Sequence, residues 1–292
     1  MSISEEQSTG QKKNTYVIDP ESAAEMARLM HQDKLVTSCM GGVLPEIAED
    51  DLNKVQRVLD LACGPGGWPL EVAYTYSDME VVGVDISERM IAYAQAQAQV
   101  QQRTNVSFRV MNILEPLDFP DASFDLVNVR YINAFMLRDK WPVLFHEIRR
   151  VLRPGGILRL TEFEITMSNK PYFENAVRMM LQAINRAGMG FSPMGYHYGI
   201  IHMLPQFFRQ AGLIIRGRSA HFIECSFGTE MYEDAYHDTA AIFPLIEPMI
   251  VKMQLATSEE WHDLSQKVLV EMGEEDFCAG WPLLTVWGEK PL

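Results

Sequence analysis

Residues 58–67 of this 292-residue chain read Val58-Leu59-Asp60-Leu61-Ala62-Cys63-Gly64-Pro65-Gly66-Gly67, and a helical pattern begins near Trp68. An apolar run with one acid, followed by a glycine cluster and then a helix, is typical of a buried parallel strand that ends in a tight turn. Glycines in such a turn let the backbone approach a ligand because they carry no Cβ. The sequence therefore predicts a ligand-binding turn at the carboxyl edge of a parallel sheet.

A second apolar run, Val81-Val82-Gly83-Val84-Asp85, ends in an acid about twenty residues further on. A ligand held by the turn, with ribose hydroxyls on an acid at the next strand's tip, is a nucleotide-like ligand on a Rossmann-type sheet. Two other nucleotide motifs do not fit. The dinucleotide pattern G-x-G-x-x-G begins at Gly64 but has Pro69 at its last position, and a P-loop needs a lysine that this turn lacks.

Strand and helix patterns alternate regularly between residues 55 and 163. Strands are predicted at 57–61, 80–84, 106–111, 124–129 and 157–163, and helices between them at 69–76, 87–102 and 140–152. Such alternation gives a parallel sheet with right-handed crossovers. Beyond it, helices are predicted at 172–187, 201–211, 230–254 (interrupted by Pro244 and Pro248) and 258–272, and strands at 213–225 and 282–290.

The region ahead of the first strand is predicted to be helical after a polar tail. Residues 1–14 are polar, which predicts disorder. The sequence Asp-Pro-Glu at 19–21 predicts an N-cap at Asp19 and a helix that runs to about residue 33. A second helix is predicted at 35–44.

Composition and charge exclude several classes of function. The formal net charge is −14 and the longest basic run is Arg149-Arg150, which argues against a nucleic-acid partner. No apolar run is long enough to span a membrane. The four cysteines lack C-x-x-C spacing, which favours reduced thiols in a cytoplasmic protein. No cluster of His, Cys, Asp and Glu has metal-ligand spacing, so we predict no metal.

Two later junctions accompany the first motif: Phe119-Pro120-Asp121-Ala122-Ser123-Phe124-Asp125-Leu126-Val127 before the fourth strand, and Leu152-Arg153-Pro154-Gly155-Gly156 before the fifth. Together these residues, covering about 55–165, resemble the class I S-adenosylmethionine-dependent methyltransferases. Ala62 departs mildly from that family, which often has glycine there. Within it, the pattern is most similar to small-molecule methyltransferases of the ubiquinone/menaquinone-biosynthesis type.

The resemblance implies an α/β fold with a seven-stranded Rossmann-like sheet, mostly parallel with an antiparallel last strand and with helices on both faces. Residues 15–53 would form an N-terminal helical lid and 54–165 the cofactor-binding core. Residues 166–292 would complete the sheet and supply two substrate-covering insertions, 166–212 and 229–280. The lid and the second insertion are also candidate interfaces for a homo-oligomer.

The resemblance further implies that the cofactor is S-adenosylmethionine, and it assigns residues to its methionine end. Gly64 and Gly66 would let the backbone approach the methionine moiety. Asp60 would contact the methionine ammonium, directly or through water. Asn128 and Arg130, at the tip of strand four, would line the methionine and methyl end.

Five other residues would bind the adenosine end. Asp85 would accept hydrogen bonds from both ribose hydroxyls. Ile86 and Met90 would pack on the adenine face. Asn112 would accept from the adenine amine, where the family usually has aspartate, and Ile113 would donate its backbone N–H to the ring.

Three residues are candidates for a general base that takes a proton from the acceptor. His197 is preferred because histidine titrates near neutrality and Tyr196 and Tyr198 flank it. Glu162, at the end of strand five, is second, and Tyr16 on the lid is third.

The implied activity is methyl transfer to carbon or oxygen of a small, partly apolar acceptor: a quinone-, polyketide-, terpenoid- or indole-like metabolite. Two alternatives stay open. One is a cyclase that binds S-adenosylmethionine, or methyl transfer coupled to cyclisation. The other is a cofactor-binding protein, such as a regulatory subunit, that no longer transfers methyl. A Rossmann oxidoreductase is disfavoured by the broken glycine pattern and by the lack of a Tyr-x-x-x-Lys pair.

Overall fold

A computed structural model describes residues 18–19 and 21–292 of the chain. The predicted tail at 1–14 and the base candidate Tyr16 lie outside the described residues. Within those residues the fold is α/β, as predicted.

Within the described residues, eight strands form one mixed sheet. Their bounds are β1 Arg57–Leu61, β2 Glu80–Asp85, β3 Val106–Val110, β4 Phe124–Arg130, β5 Leu152–Phe163, β6 Met167–Ser168, β7 Ile214–Glu224 and β8 Ala279–Glu289. The order is β3-β2-β1-β4-β5-β8, with β6 and β7 both paired to β8. Strands β1 to β5 are parallel, and β8 runs antiparallel to its neighbours. The predicted antiparallel last strand is confirmed, and the two-residue β6 is an addition that the sequence did not predict.

The helices in the described ranges have these bounds: α1 Ala23–Cys39, α2 Glu49–Leu52, α3 Gly67–Thr75, α4 Glu88–Val100, α5 Trp141–Val151, α6 Pro171–Arg186, α7 Leu204–Gln210, α8 Tyr232–Lys252 and α9 Ser258–Met272. They cover both faces of the sheet. Leu59 of β1 packs into the cluster that contains α5 and α7, whereas Val58 packs into the cluster that contains α3. Successive strand residues face opposite sides, so β1 is buried on both.

The chain crosses the sheet after β3. From β1 it first builds outward through β2 to β3, and then returns to place β4 on the other side of β1. In open α/β sheets, ligands bind in the crevice outside the carboxyl ends of the strands at such a switch point. The crevice here lies beyond Leu61, Asp85 and Arg130.

The first helix begins later than predicted. Ser22, not Asp19, is the N-cap, because its Oγ accepts from the backbone N–H of Glu25 at 3.3 Å. Asp19 instead accepts from the N–H of Glu21 at 3.0 Å and forms a turn ahead of the helix. The predicted start is therefore wrong: two N-cap-type residues lie three apart, and the turn uses the first.

The two helices predicted before residue 44 are one helix. α1 runs through residue 33 to Cys39, and the chain leaves it through Gly41 and Gly42, whose φ angles are +87° and +123°. These left-handed conformations favour glycine and end the helix.

The predicted interruption of the helix at 230–254 is also wrong. α8 contains Pro244 and Pro248 and continues through both. Each proline removes one N–H donor from the helix. Packing on α9 supports the helix in spite of this loss: its buried side contacts α9, and the indole N–H of Trp261 donates to the carbonyl of Phe243 at 2.9 Å. None of the helices in the described ranges, α8 included, is long and apolar enough to cross a membrane.

Candidate active site

The turn after β1 needs glycine at two positions. Gly64 and Gly66 have φ angles of +53° and +81°. A Cβ on Gly66 would lie 2.7 Å from the Cβ of Ala94 on α4 and 2.8 Å from the ring of Phe108 on β3. Gly66 therefore lets α3 start close against β3 and α4, and this close packing shapes the turn from behind.

A cavity lies over the carboxyl ends of β1, β2 and β4, next to this turn. Its walls include eight of the ten predicted cofactor residues: Asp60, Gly64, Asp85, Ile86, Met90, Asn112, Ile113 and Arg130. Gly66 and Asn128 lie behind the wall. The cavity is also lined by residues that the sequence did not single out, among them Leu29, Gln32 and Asp33 of α1, and Tyr131 and Phe135 after β4.

Asp85 is held by backbone N–H groups at one end of the cavity. Its Oδ2 accepts from the N–H of Gly64 and its Oδ1 from the N–H of Ser87, both at 2.9 Å. Burial raises the pKa of Asp85. Each carboxylate oxygen keeps a lone pair beyond the one used, so a pair of ribose hydroxyls fits the remaining capacity.

The neighbouring wall is apolar apart from one amide. Met90 and Ile113 are buried. The Oδ1 of Asn112 accepts from the N–H of Leu114 at 3.0 Å, and its amide nitrogen donates to Glu115 at 3.0 Å. This turn fixes the amide, and its oxygen retains one lone pair for a donor such as an amine.

Asp60 is positioned by a buried polar chain. Its Oδ1 accepts from Asn128 at 2.7 Å, and the Asn128 oxygen accepts from Arg159 at 2.9 Å. Arg159 in turn donates two hydrogen bonds to Glu46, at 3.0 and 3.1 Å. Burial raises the pKa of Asp60 to about 7, although the charge of Arg130 opposes the shift. Asn128 thus orients Asp60 from behind, which the prediction for Asn128 did not include.

The sequence contained one signal of this chain of contacts. Arg159 interrupts the apolar run of strand five and is only 1% exposed, and a buried cation requires a partner. Its partner, Glu46, lies ahead of β1 and could not be found from spacing.

Arg130 connects the cavity to α1. It forms an ion pair with Asp33 and donates to the hydroxyl of Thr37 at 3.1 Å. Its guanidinium also lies 5.8 Å from the ring centre of Trp68. The Asp33 carboxylate sits against the start of α3, where a Cβ at Gly67 would collide with it. The Asp33 carboxylate therefore lies between a partly buried cation and a helix N-terminus.

α1 is also tied to the late insertion. Arg28 donates to Asp238 on α8 at 3.0 Å. His31 pairs with Asp234 one turn earlier on α8. The wall that α1 gives the cavity is thus braced by residues from the 229–280 segment.

Two base candidates, His197 and Glu162, lie among the described residues, and neither lines the cavity. His197 is 40% exposed, and its Nδ1 lies 3.8 Å from the Oε2 of Glu164. Glu162 is fully buried, and one of its oxygens accepts from the backbone N–H groups of Ile132 and Asn133 at 2.8 and 3.2 Å. Burial raises the pKa of Glu162 well above its usual range.

Two curated bacterial proteins are similar in sequence. The chain is 31% identical over 195 residues to the demethylmenaquinone methyltransferase of Lactiplantibacillus plantarum, with 62% of this chain and 78% of that protein covered. It is 34% identical over 145 residues to the 27-O-demethylrifamycin SV methyltransferase of Amycolatopsis mediterranei, with 49% and 50% covered. The chain spans 49–61% of the length of several curated relatives it matches and 21–39% of others.

The fold is similar to that of the YcgJ protein from Bacillus subtilis. The TM-score is 0.53 at 19% identity, with 81% of this chain and 92% of that chain covered, so this likeness shows the fold alone. A family profile described as a methyltransferase domain matches residues 58–156, the segment that builds the cavity's floor. Together with the demethylmenaquinone methyltransferase match, this profile shows that the chain belongs to the S-adenosylmethionine-dependent methyltransferases.

Proposed function

We propose that this protein transfers a methyl group from S-adenosylmethionine to carbon or oxygen of a small, partly apolar metabolite of the quinone, polyketide, terpenoid or indole kind. The observation that carries the proposal is the cavity over β1, β2 and β4. It is lined by two carboxylates, Asp60 of β1 and Asp85 of β2, and by apolar side chains that include Ile86, Met90 and Ile113. That pattern matches a ligand with a ribose, a flat base and a cationic amino-acid tail.

The cofactor would lie along the cavity with each polar group on a matching side chain. The ribose hydroxyls would be on Asp85 and the ammonium on Asp60. The methionine carboxylate would be on Arg130, as the strongest pairing for a guanidinium is an anionic oxygen. The adenine face would pack on Ile86 and Met90.

The protein itself would contribute three things to the chemistry: it aligns donor and acceptor, excludes water from the acceptor and removes a proton. Bound S-adenosylmethionine supplies a methyl group already activated on a sulfonium. Holding donor and acceptor in line can lower the barrier by about 7–11 kcal/mol. The apolar walls keep water from the acceptor. During transfer, the acceptor's electron pair forms the new bond, the methyl–sulfur bond breaks with its electrons on sulfur, and a base takes the acceptor's proton.

His197 remains the first candidate for that base. Its ring has the carboxylate of Glu164 beside it, which would orient the imidazole. Its exposure lets it return the proton to solvent. Tyr198, next to His197, contacts the Phe163 ring edge-on, and Phe163 contacts Tyr131 of the cavity wall. The acceptor would have to extend past these rings to reach His197.

The acceptor is proposed to be a small molecule and not a nucleic acid. The net charge of −14 repels a polyanion. The walls near the methyl end include Tyr131 and Phe135, and aromatic rings favour an apolar or conjugated acceptor.

The direct test is product formation. The purified protein would be incubated with S-adenosylmethionine and a panel of hydroquinones, phenols, indoles and terpenoid alcohols, and S-adenosylhomocysteine would be measured by mass spectrometry. We expect S-adenosylhomocysteine together with a methylated acceptor, and roughly ten- to a hundredfold less with Asp85→Ala at a cofactor concentration below the wild-type Kd. Cofactor binding without S-adenosylhomocysteine would instead favour a protein that binds but does not transfer, and absence of binding would reject the proposal.

A further inference from the structure

Tyr131 has an unusual backbone conformation at the methyl end of the cavity. It follows directly after β4, and its φ is +57°. Its N–H donates to the carbonyl of Thr161 at 3.1 Å, which continues the pairing of β4 with β5 by one residue. Bulky side chains rarely adopt this left-handed region, and such residues cluster at functional sites.

Strand β5 holds this conformation in place. Glu162 accepts from the N–H groups of the two residues after Tyr131, at 2.8 and 3.2 Å. The ring of Phe163 contacts the Tyr131 ring edge-on, with centres 5.6 Å apart. The side-chain amide of Asn133 donates to the carbonyl of Phe163 at 3.2 Å. The turn is therefore clamped from the end of β5, and Glu162 is the centre of the clamp.

The hydroxyl of Tyr131 is buried and has no hydrogen-bond partner among residues 18–19 and 21–292. Tyr131 also lines the cavity. Buried polar atoms are nearly always paired, so an unpaired hydroxyl on a residue that lines a binding cavity is expected to find its partner in a ligand. Burial raises the pKa of Tyr131 well above its ordinary value, so the group is a neutral donor at physiological pH.

We propose that the Tyr131 hydroxyl donates a hydrogen bond to an oxygen of the methyl acceptor, and that Glu162 is a positioning residue for Tyr131. This rests on the proposed function and narrows its substrate class to acceptors with a hydroxyl, enol or carbonyl oxygen at or beside the methylated atom. An oxygen has two lone pairs and can accept this bond while it still attacks. An amine has one lone pair, which the same bond would block.

A test compares two probes of nearly equal shape, phenol and toluene, on the protein loaded with S-adenosylhomocysteine. Ligand-observed NMR would give their relative affinities. Wild-type protein should prefer phenol roughly three- to tenfold, the range expected for one net hydrogen bond. Tyr131→Phe should reduce the preference to about twofold or less, with S-adenosylhomocysteine affinity unchanged. Tyr76→Phe, at the C-terminus of α3 and away from the cavity, is the matched control.

Glu162 is tested by rescue. Glu162→Ala should lose the phenol preference, whereas Glu162→Gln should keep most of it, because the amide oxygen can still accept from the turn. Thermal unfolding of each variant would check that the fold is kept. Wild-type protein without a preference for phenol, or Tyr131→Phe with the full preference, would overturn the assignment. Failure of wild-type protein to bind S-adenosylhomocysteine would instead reject the proposed function.

Discussion

The two ends of the cavity are built from different kinds of contact. At the ribose end, Asp85 is held by main-chain N–H groups of Gly64 and Ser87, all inside the core around β1 and β2. At the methyl end, the charge of Arg130 is met by Asp33 of α1, and the Tyr131 hydroxyl has no partner within the described ranges. The contacts at the ribose end thus need no residue from outside the core, whereas those at the methyl end include α1.

This difference separates a part of the site that the methyltransferase profile covers from a part that depends on segments outside it. The ribose end needs only the strand tips and the glycine turn, which lie in the segment matched by the methyltransferase profile. The methyl end uses α1, which lies outside that segment. We therefore expect substitutions at the ribose end to act on cofactor affinity, whereas substitutions at the methyl end can also act on turnover or selectivity.

The largest expected effect tests whether the 166–212 insertion supplies the general base. His197→Ala should lower kcat by about a hundredfold or more, because a general base contributes typically ~10²–10⁴-fold. The measurement is the initial rate at saturating cofactor and acceptor. His146→Ala, on the exposed side of α5, is the control. A kcat near the wild-type value would remove His197 from the mechanism and leave Tyr16 as the next base candidate, since Glu162 is assigned to positioning Tyr131.

The next effect tests the ribose end. Asp85→Ala should weaken S-adenosylmethionine binding by roughly ten- to a hundredfold, since a hydrogen bond to a charged group contributes ~1.5–3 kcal/mol. Calorimetric titration would measure it. Asp78→Ala, exposed in the loop before β2, should leave affinity unchanged. Affinity of Asp85→Ala within about twofold of wild type would contradict the ribose assignment.

A smaller effect concerns pH at the Asp60 position. Burial raises the pKa of Asp60 to about 7, so its carboxylate gains a proton as pH falls through 7 and then attracts an ammonium less. S-adenosylmethionine affinity should therefore fall on acidification below about pH 7, by at most about tenfold per pH unit.

Two comparisons isolate the Asp60 effect. Asp60→Asn should flatten the pH profile in that range. 5′-Methylthioadenosine, which lacks the amino-acid portion, should show little dependence with the wild-type protein. An equal dependence for both ligands would assign the titration to another group.

The smallest effect tests whether α1 competes with the cofactor. Asp33 forms an ion pair with Arg130, the proposed partner of the methionine carboxylate. Asp33→Asn should free Arg130 and tighten S-adenosylmethionine binding by roughly two- to fivefold, the scale of one partly exposed ion pair. Asp50→Asn, exposed on α2, is the control. Weaker binding in Asp33→Asn would show that the carboxylate supports the bound cofactor and does not compete with it.

The parallel core could be predicted closely from sequence. The β1 bounds and the N-cap of α4 at Ser87 match the predictions, and so do the bounds of α9, whose Thr257 and Glu260 form a capping box. Each of these features has a local cause: a buried apolar run, or a side chain that caps its own helix.

The features that could not be predicted from sequence are fixed by tertiary contacts. The chain from Glu46 through Arg159 and Asn128 to Asp60 joins distant segments, and no spacing rule links them. The left-handed turn at Tyr131 is held by β5 and not by its own sequence. Several of the residues that the sequence did not single out therefore lie at the methyl end, where packing decides the geometry.

The central claim is that one sulfonium-bearing cofactor lies across the carboxyl ends of β1 and β2 with its ribose on Asp85. The most direct measurement is a crystal structure with S-adenosylhomocysteine bound. We predict both ribose hydroxyls within hydrogen-bond distance of the Asp85 carboxylate and the homocysteine sulfur on the Tyr131 side of the turn. A ribose away from Asp85, or the ligand outside this cavity, would contradict the account.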